Sequence, residues 1–198
     1  MRLNIKSLKQ LNEAELIIQL KKEQQSAYYA LVELFSSKVY NTCLSMLQNE
    51  DDARDTVQEV FIEIYRSVKS FKGDSALSTW IYRVATNKCL DVIRKKNTKK
   101  YGGKLIRLDG EEPYPLLQPS DFNHPGIQME QKEKARMLFA AMERLPENQR
   151  AAFTLFHVEG FTYKEIAEIM KMNLPGIESL MHRAKTNLKK MLNDFYNK

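Results

Sequence analysis

The sequence predicts an all-α fold: two small helical domains joined by a flexible linker. Three observations predict it. Apolar residues recur at three- and four-residue spacing along most of the chain, as helices with one buried face require. Strand-like alternation persists nowhere. Between 97 and 128 the helical period vanishes, while Gly102, Gly103, Gly110, Pro113, Pro115, Pro119, Pro125 and Gly126 accumulate. Proline removes backbone donors and disfavours helix in the residue before it. About 30 structureless residues inside one compact domain would be unusual, so this stretch reads as a tether between domains at 1–96 and 129–198.

Each element follows from its pattern. Leu16, Ile17 and Leu20 mark a short first helix. Ala27, Ala30, Leu31, Leu34 and Phe35 lie on one face of a second, which continues through Val39, Cys43 and Leu47. Ala53, Val57, Val60, Phe61, Ile64, Tyr65 and Val68 give a clear third. Phe71–Ser78, with Gly73, Asp74 and two serines, reads as a loop. Thr79 is expected to cap a helix from Trp80 to about Lys96. In the second domain Ala135, Leu138, Phe139 and Met142 form a stripe, and Leu145-Pro146 breaks it. Glu147–Val158 forms another helix, with Phe153 and Phe156 inward and Gly160 as its stop.

Charge divides the chain into zones. The net charge is +6. Between Arg83 and Arg107 nine Lys or Arg face one acid, Asp91; between Glu50 and Glu63 six acids face one base, Arg54; between Asp109 and Asp121 there are four acids and no base. Such zoning points to several partners of different charge. Cys43 and Cys89 sit inside apolar helical patterns and read as reduced core residues. No stretch approaches the ~20 apolar residues needed to span a bilayer, and no signal-peptide run opens the chain, so a cytoplasmic protein without membrane insertion is expected.

The motif most sharply defined by physics alone is C-terminal. Thr162-Tyr163-Lys164-Glu165 has capping-box spacing, and the helix Tyr163–Met170 buries Ile166, Ala167 and Met170. A turn at Lys171–Asn173 follows, where Asn173 can cap a helix that tolerates Pro175 in its first turn and repeats Ile177, Met181, Ala184 and Leu188 on one side. Helix, tight turn and second helix make a helix-turn-helix, whose second member fits the major groove. Ser179, His182, Arg183 and Lys185 supply polar and basic groups there.

Three further features stand in the first domain. Arg83, Asn87 and Arg94 fall within about 40° of one another at 100° per residue, so they share a face suited to bases and phosphates. Phe71, Trp80 and Tyr82 place aromatic rings beside the polar loop, a surface that can stack or pocket an unpaired base, though an isolated Trp is more often a core residue. Asp52, Asp55, Glu59 and Glu63 form an acidic stripe opposite the apolar face, with Gln58 at its edge. Such a stripe is usually a solvated face; DNA would be repelled from it, and any partner would be a basic protein.

Together these residues resemble the extracytoplasmic-function sigma factors of the sigma-70 family. DARDTVQEVFIEIYRSVKSFKGDSALSTWIYRVATNKCLDVIRKK (52–96) is similar to the core of sigma domain two. LPENQRAAFTLFHVEGFTYKEIAEIMKMNLPGIESLMHRAKTNL (145–188) is similar to sigma domain four, and 15–47 fits the start of domain two. The resemblance implies a transcription initiation factor, not an enzyme, that binds core RNA polymerase, recognises minus-ten and minus-thirty-five promoter elements and assists strand opening. It implies that Asp52, Asp55, Gln58, Glu59 and Glu63 face the clamp helices of the largest polymerase subunit. It implies that Phe71, Lys72, Gly73, Asp74, Ser75, Ala76, Trp80, Arg83, Asn87 and Arg94 engage minus-ten DNA. Lys164, Gly176, Ser179, His182, Arg183 and Lys185 would engage minus-thirty-five DNA, near the flap of the second-largest subunit. The linker would thread toward the active-site cleft, its acids mimicking a nucleic-acid strand, and an anti-sigma factor would regulate the chain. No catalytic residue, metal or cofactor is expected; His124, His157 and His182 lack ligand-like spacing. One departure stands out: Glu178 and Leu180 occupy positions where the family usually carries basic residues. A plain helix-turn-helix regulator would explain only 145–188, and a protein-only adaptor only the acidic stripe.

Overall fold

The computed structural model describes residues 12–101 and 132–196. Among them every regular element is helical. The first domain contains α1 (Glu13–Lys21), α2 (Gln25–Leu47), α3 (Glu50–Ser67), a 3₁₀ turn (Val68–Ser70) and α4 (Leu77–Tyr101). The second contains α5 (Lys132–Glu143), α6 (Glu147–His157), α7 (Tyr163–Met170) and α8 (Leu174–Tyr196).

Local signals set most boundaries. Asn12 and Asn49 cap α1 and α3, their side-chain oxygens accepting from Glu15 N and Asp52 N at 2.8 and 2.9 Å. Glu50, Asp51 and Asp52 in the first turn of α3 favour the positive end of the helix dipole. Helix α2 ends at Gln48, whose φ of 53° closes the last turn.

Both boundaries of α4 depart from expectation. Helix α4 begins at Leu77, and Thr79 lies buried inside its first turn rather than capping it. The capping role falls to Glu13 of α1, whose Oε1 accepts from Leu77 N at 2.8 Å. No local pattern could show a cap delivered from 64 residues upstream. Helix α4 also runs to Tyr101, past the expected end at Lys96. The remainder of the expected tether and its acids from Asp109 to Asp121 lie outside the described residues.

Helices α2, α3 and α4 pack as a bundle around Leu31, Val39, Cys43, Ala53, Val60, Ile64, Ile81, Ala85 and Cys89, all fully buried. Fully burying an aliphatic side chain of this size is worth about 1.5–3 kcal/mol. Both cysteines are free, and the Cys89 thiol is pushed up by its contact with Cys43 and by burial, so it stays protonated and inert. In the second domain α8 packs across α5, α6 and α7. Its Ile177, Met181, Ala184 and Leu188 are all buried, with Leu155, Ile166 and Ile169 opposite.

The two domains touch directly. Helix α4 packs on α6 and α7, and α2 on α5 and α6. Arg150 of α6 donates to the carbonyls of Met46 in α2 and Glu143 in α5. Burial lowers its guanidinium to about 10, which leaves it charged at neutral pH.

Candidate protein and nucleic-acid interfaces

The acidic helix α3 presents a stripe that is only partly free. Lys96 of α4 pairs with Asp52, and Lys88 of α4 stands 3.6 Å from Glu63 and 3.9 Å from Glu59. Asp55 and Gln58 are exposed and carry no partner among the described residues. Two residues that the charge pattern does not single out belong to this face. Ile62 and Tyr65 are 48% and 50% exposed, and Asp55, Gln58, Glu59 and Ile62 fall within about 100° on the helix. Exposed apolar groups among carboxylates suit a partner surface that is basic and apolar at once. The spacing of Tyr65 predicts a core position; its ring instead meets Tyr28 edge-on at 5.3 Å while keeping half its surface in solvent.

The loop between the 3₁₀ turn and α4 exposes Lys72, Gly73, Asp74 and Ala76, with Ser75 half-buried. Gly73 has φ of 83°, a left-handed conformation that strains any residue with a Cβ. Phe71, expected among the strand-contacting residues, is in the core, with only 6% of its surface exposed. Its ring lies 5.0 Å from that of the half-buried Trp80 and supports it from beneath. The rings beside the loop therefore divide into a buried Phe71 and a half-buried Trp80. Tyr82 is also buried; burial, then the nearby Glu159 carboxylate, push its phenol well up.

On α4 the shared face of Arg83, Asn87 and Arg94 exists, and the second domain occupies most of it. Arg83 donates through Nε and Nη2 to the Glu168 carbonyl at 3.2 and 3.0 Å. Arg94 Nε donates to Glu147 Oε1 at 2.8 Å. Asn87 alone is exposed without a partner among the described residues. Leu90, which shares this face on the sequence pattern, is buried.

The helix-turn-helix is built from its own caps. Thr162 Oγ1 accepts from Glu165 N at 3.3 Å, and Glu165 Oε2 accepts from Thr162 N at 2.8 Å. The Thr162 backbone N–H, then its hydroxyl, hold the Glu165 carboxyl below the usual carboxylate range. Lys171 closes α7 with φ of 52°, and Asn173 Oδ1 accepts from Gly176 N at 2.9 Å to open α8. A Cβ on Gly176 would stand 2.7 Å from that oxygen, so the glycine first serves the cap. Lys164, His182, Arg183 and Lys185 are exposed on this unit, and Ser179 is half-buried. Of the two departures on α8, Glu178 is exposed, whereas Leu180 packs against the core. An apolar residue at 180 thus has a structural reason, and the acid at 178 has none that the fold supplies.

Among the described residues no group of three potential ligands is placed to hold a metal, and no helix is long and apolar enough to cross a membrane.

Comparison with known proteins identifies the class. Residues 31–99 match sigma-70 region 2, and 135–188 match sigma-70 region 4. The ECF RNA polymerase sigma-E factor of Haemophilus influenzae is 31% identical over 89% of this chain and 93% of its own. The ECF sigma factor SigW of Bacillus subtilis is 31% identical over 90% and 95%. Among solved structures, CnrH in complex with the cytosolic domain of CnrY shares the fold, with a TM-score of 0.64 at 19% identity over 92% of this chain and 97% of that one. So does the sigma factor RpoE of Bartonella quintana, in complex with the anti-sigma factor NepR, with a TM-score of 0.58 at 21% identity over 84% and 96%. The chain therefore belongs to the ECF group of the sigma-70 family. It is a promoter-specific transcription initiation factor, the activity that its two sigma regions and full-length relatives define.

Proposed function

We propose that the three surfaces divide this work, with α3 holding polymerase, the Lys72–Ala76 loop and the α4 face holding melted minus-ten DNA, and α7–α8 reading minus-thirty-five duplex. The observation that carries the reading is the exposed Asp55–Gln58–Glu59–Ile62 face beside a glycine-turned loop and a half-buried Trp80. A carboxylate face repels DNA and attracts a basic protein such as the clamp helices of the largest polymerase subunit. Holding polymerase on α3 brings the adjoining loop to the DNA strand. Unstacking a base costs a few kcal/mol, and a pocket with an aromatic wall offsets that cost.

The α8 face with His182, Arg183 and Lys185 supplies a duplex contact close to the flap of the second-largest subunit. The chain does no chemistry; it changes which DNA conformation the polymerase binds most tightly. Its place of work is the cytoplasm, where polymerase and promoter are. An anti-sigma factor is a further partner, supported by the solved neighbour RpoE of Bartonella quintana, which was captured with the anti-sigma factor NepR.

Reconstitution with core polymerase and a promoter library tests the reading. Defined starts that require both the chain and core are expected, and reversal of Asp55 and Glu59 to lysine should abolish them. Duplex binding without any core-dependent start would leave a conventional regulator. Core binding without starts would leave an adaptor.

A further inference from the structure

Helix α1 is tied to both ends of the loop that precedes α4. At one end Glu13 Oε1 accepts from Leu77 N at 2.8 Å, where the loop passes into α4. At the other end Glu23, just past α1, pairs its Oε1 with Lys69 Nζ at 2.8 Å, on the 3₁₀ turn from which the loop leaves. Between these carboxylates Leu16 and Leu20 are buried, so the helix itself is fixed to the core. Nine residues at 1.5 Å rise make α1 a strut of about 13 Å. Neither contact is one that local structure would choose. Leu77 is 1% exposed, so its N–H is shielded from water and depends on the Glu13 carboxylate. Glu23 has φ of 55°, a left-handed conformation that favours glycine at the end of a helix. Its N–H and that of Gln24 close the helix on the carbonyls of Leu20 and Gln19, a turn that glycine makes with less strain. Helix closure therefore asks for no side chain at position 23, and the carboxylate there serves the contact with Lys69.

We propose that α1 is a brace for strand capture: Glu13 and Glu23 are positioning residues that hold the two ends of the Lys72–Ala76 loop at the separation a melted strand requires. This rests on the assignment of that loop to minus-ten DNA made above. The two carboxylates do not act on DNA, whose phosphates they repel; they act through the Leu77 backbone and the Lys69 side chain that they hold. Such bracing matters because Gly73, at φ of 83°, gives the loop a soft point that local structure leaves free to move. A loop with loose ends samples several spans, and only the fraction with the right one holds a base. The apparent dissociation constant for the strand is then the intrinsic one divided by that fraction.

Holoenzyme carrying Glu13→Ala with Glu23→Gly tests this on a promoter with 2-aminopurine in its minus-ten element, whose fluorescence rises as that base unstacks. The rate of the rise should fall roughly 20-fold, about tenfold for the charge-assisted hydrogen bond and about twofold for the surface ion pair. Competition for core and affinity for minus-thirty-five duplex should match wild type, because α3 and α8 are untouched. Two single variants separate positioning from folding. Glu23→Gly relieves the left-handed strain, so the thermal midpoint should hold or rise while the fluorescence rise slows about twofold. A merely structural role would move both in the same direction. Glu13→Gln keeps an oxygen to accept from Leu77 N and should restore most of the rate that Glu13→Ala loses. A wild-type rate in the double variant overturns the proposal. So does a slower rate accompanied by weaker core binding, since the effect then belongs to the whole domain. Failure of the underlying assignment reads differently: Lys72→Ala with Asp74→Ala would then leave the rate intact, and the proposal falls with it. Loss of rate in that loop variant beside a wild-type rate in the double variant overturns the brace alone.

Discussion

The two candidate DNA faces are made in opposite ways. On α8 the exposed groups stand on a unit whose caps lie within three residues of their partners: Thr162 with Glu165, and Asn173 with Gly176. On α4 the comparable face is assembled from afar. Glu13 caps the helix, Phe71 supports Trp80, and the second domain occupies two of the guanidinium groups. A duplex-reading helix can be preformed because the duplex arrives with its grooves already shaped. A strand-holding surface must accept bases that become available only as the duplex opens. The difference predicts that the α8 face is insensitive to domain arrangement and the α4 face depends on it.

The largest expected effect tests the α4 face inside holoenzyme. Arg83→Ala with Arg94→Ala should lower open-complex formation about 100-fold, at roughly 1.4 kcal/mol for each of the two charge-assisted hydrogen bonds removed. Permanganate reactivity of the melted strand measures it. Recovery in low salt would assign the residues to phosphates and not to bases.

Next comes the polymerase face, where the ion pairs rank the carboxylates. Asp55→Lys should weaken competition for core roughly tenfold, because Asp55 would meet the proposed basic partner with no internal counter-charge among the described residues. Glu63→Gln should weaken it much less, since Lys88 already stands 3.6 Å from Glu63. Equal effects would mean that the internal pairs do not persist in holoenzyme.

The caps of the helix-turn-helix are worth less. Thr162→Ala should cost about 1 kcal/mol of stability, read as a lowered thermal midpoint. Glu165 adds a pH signature. Its carboxyl titrates below the usual value in the folded chain, so its contribution is complete above the ordinary carboxylate pKa and is lost as pH falls through the lowered one. The gap in thermal midpoint between wild type and Glu165→Gln should close over that acid window and remain constant at neutral pH.

The smallest effect is a gain. Glu178→Lys puts a cation on the exposed side of α8, where no packing opposes it. Affinity for minus-thirty-five duplex should rise a few-fold, and the salt dependence should steepen by about one counterion. A cation at 180 should instead destabilise the domain, because Leu180 packs against the core.

By itself the sequence determined the all-helical class, the helix-turn-helix with both its caps, and the acidic and basic zones. These depend on residues separated by three or four positions, and helical geometry places such residues together whatever the rest of the chain does. It also sufficed for the shared face of Arg83, Asn87 and Arg94 along α4. Tertiary structure decided what each face meets. Thr79 gave way to Glu13 as the cap of α4, Phe71 went to the core, and Tyr65 stayed half in solvent. Lys88 and Lys96 drew part of the charge from α3, and Glu147, Glu159 and Glu168 closed on the first domain. Most of those outcomes join residues tens of positions apart, and periodicity carries no information at that separation. Only the packing of one helix against another brings such groups within hydrogen-bonding distance.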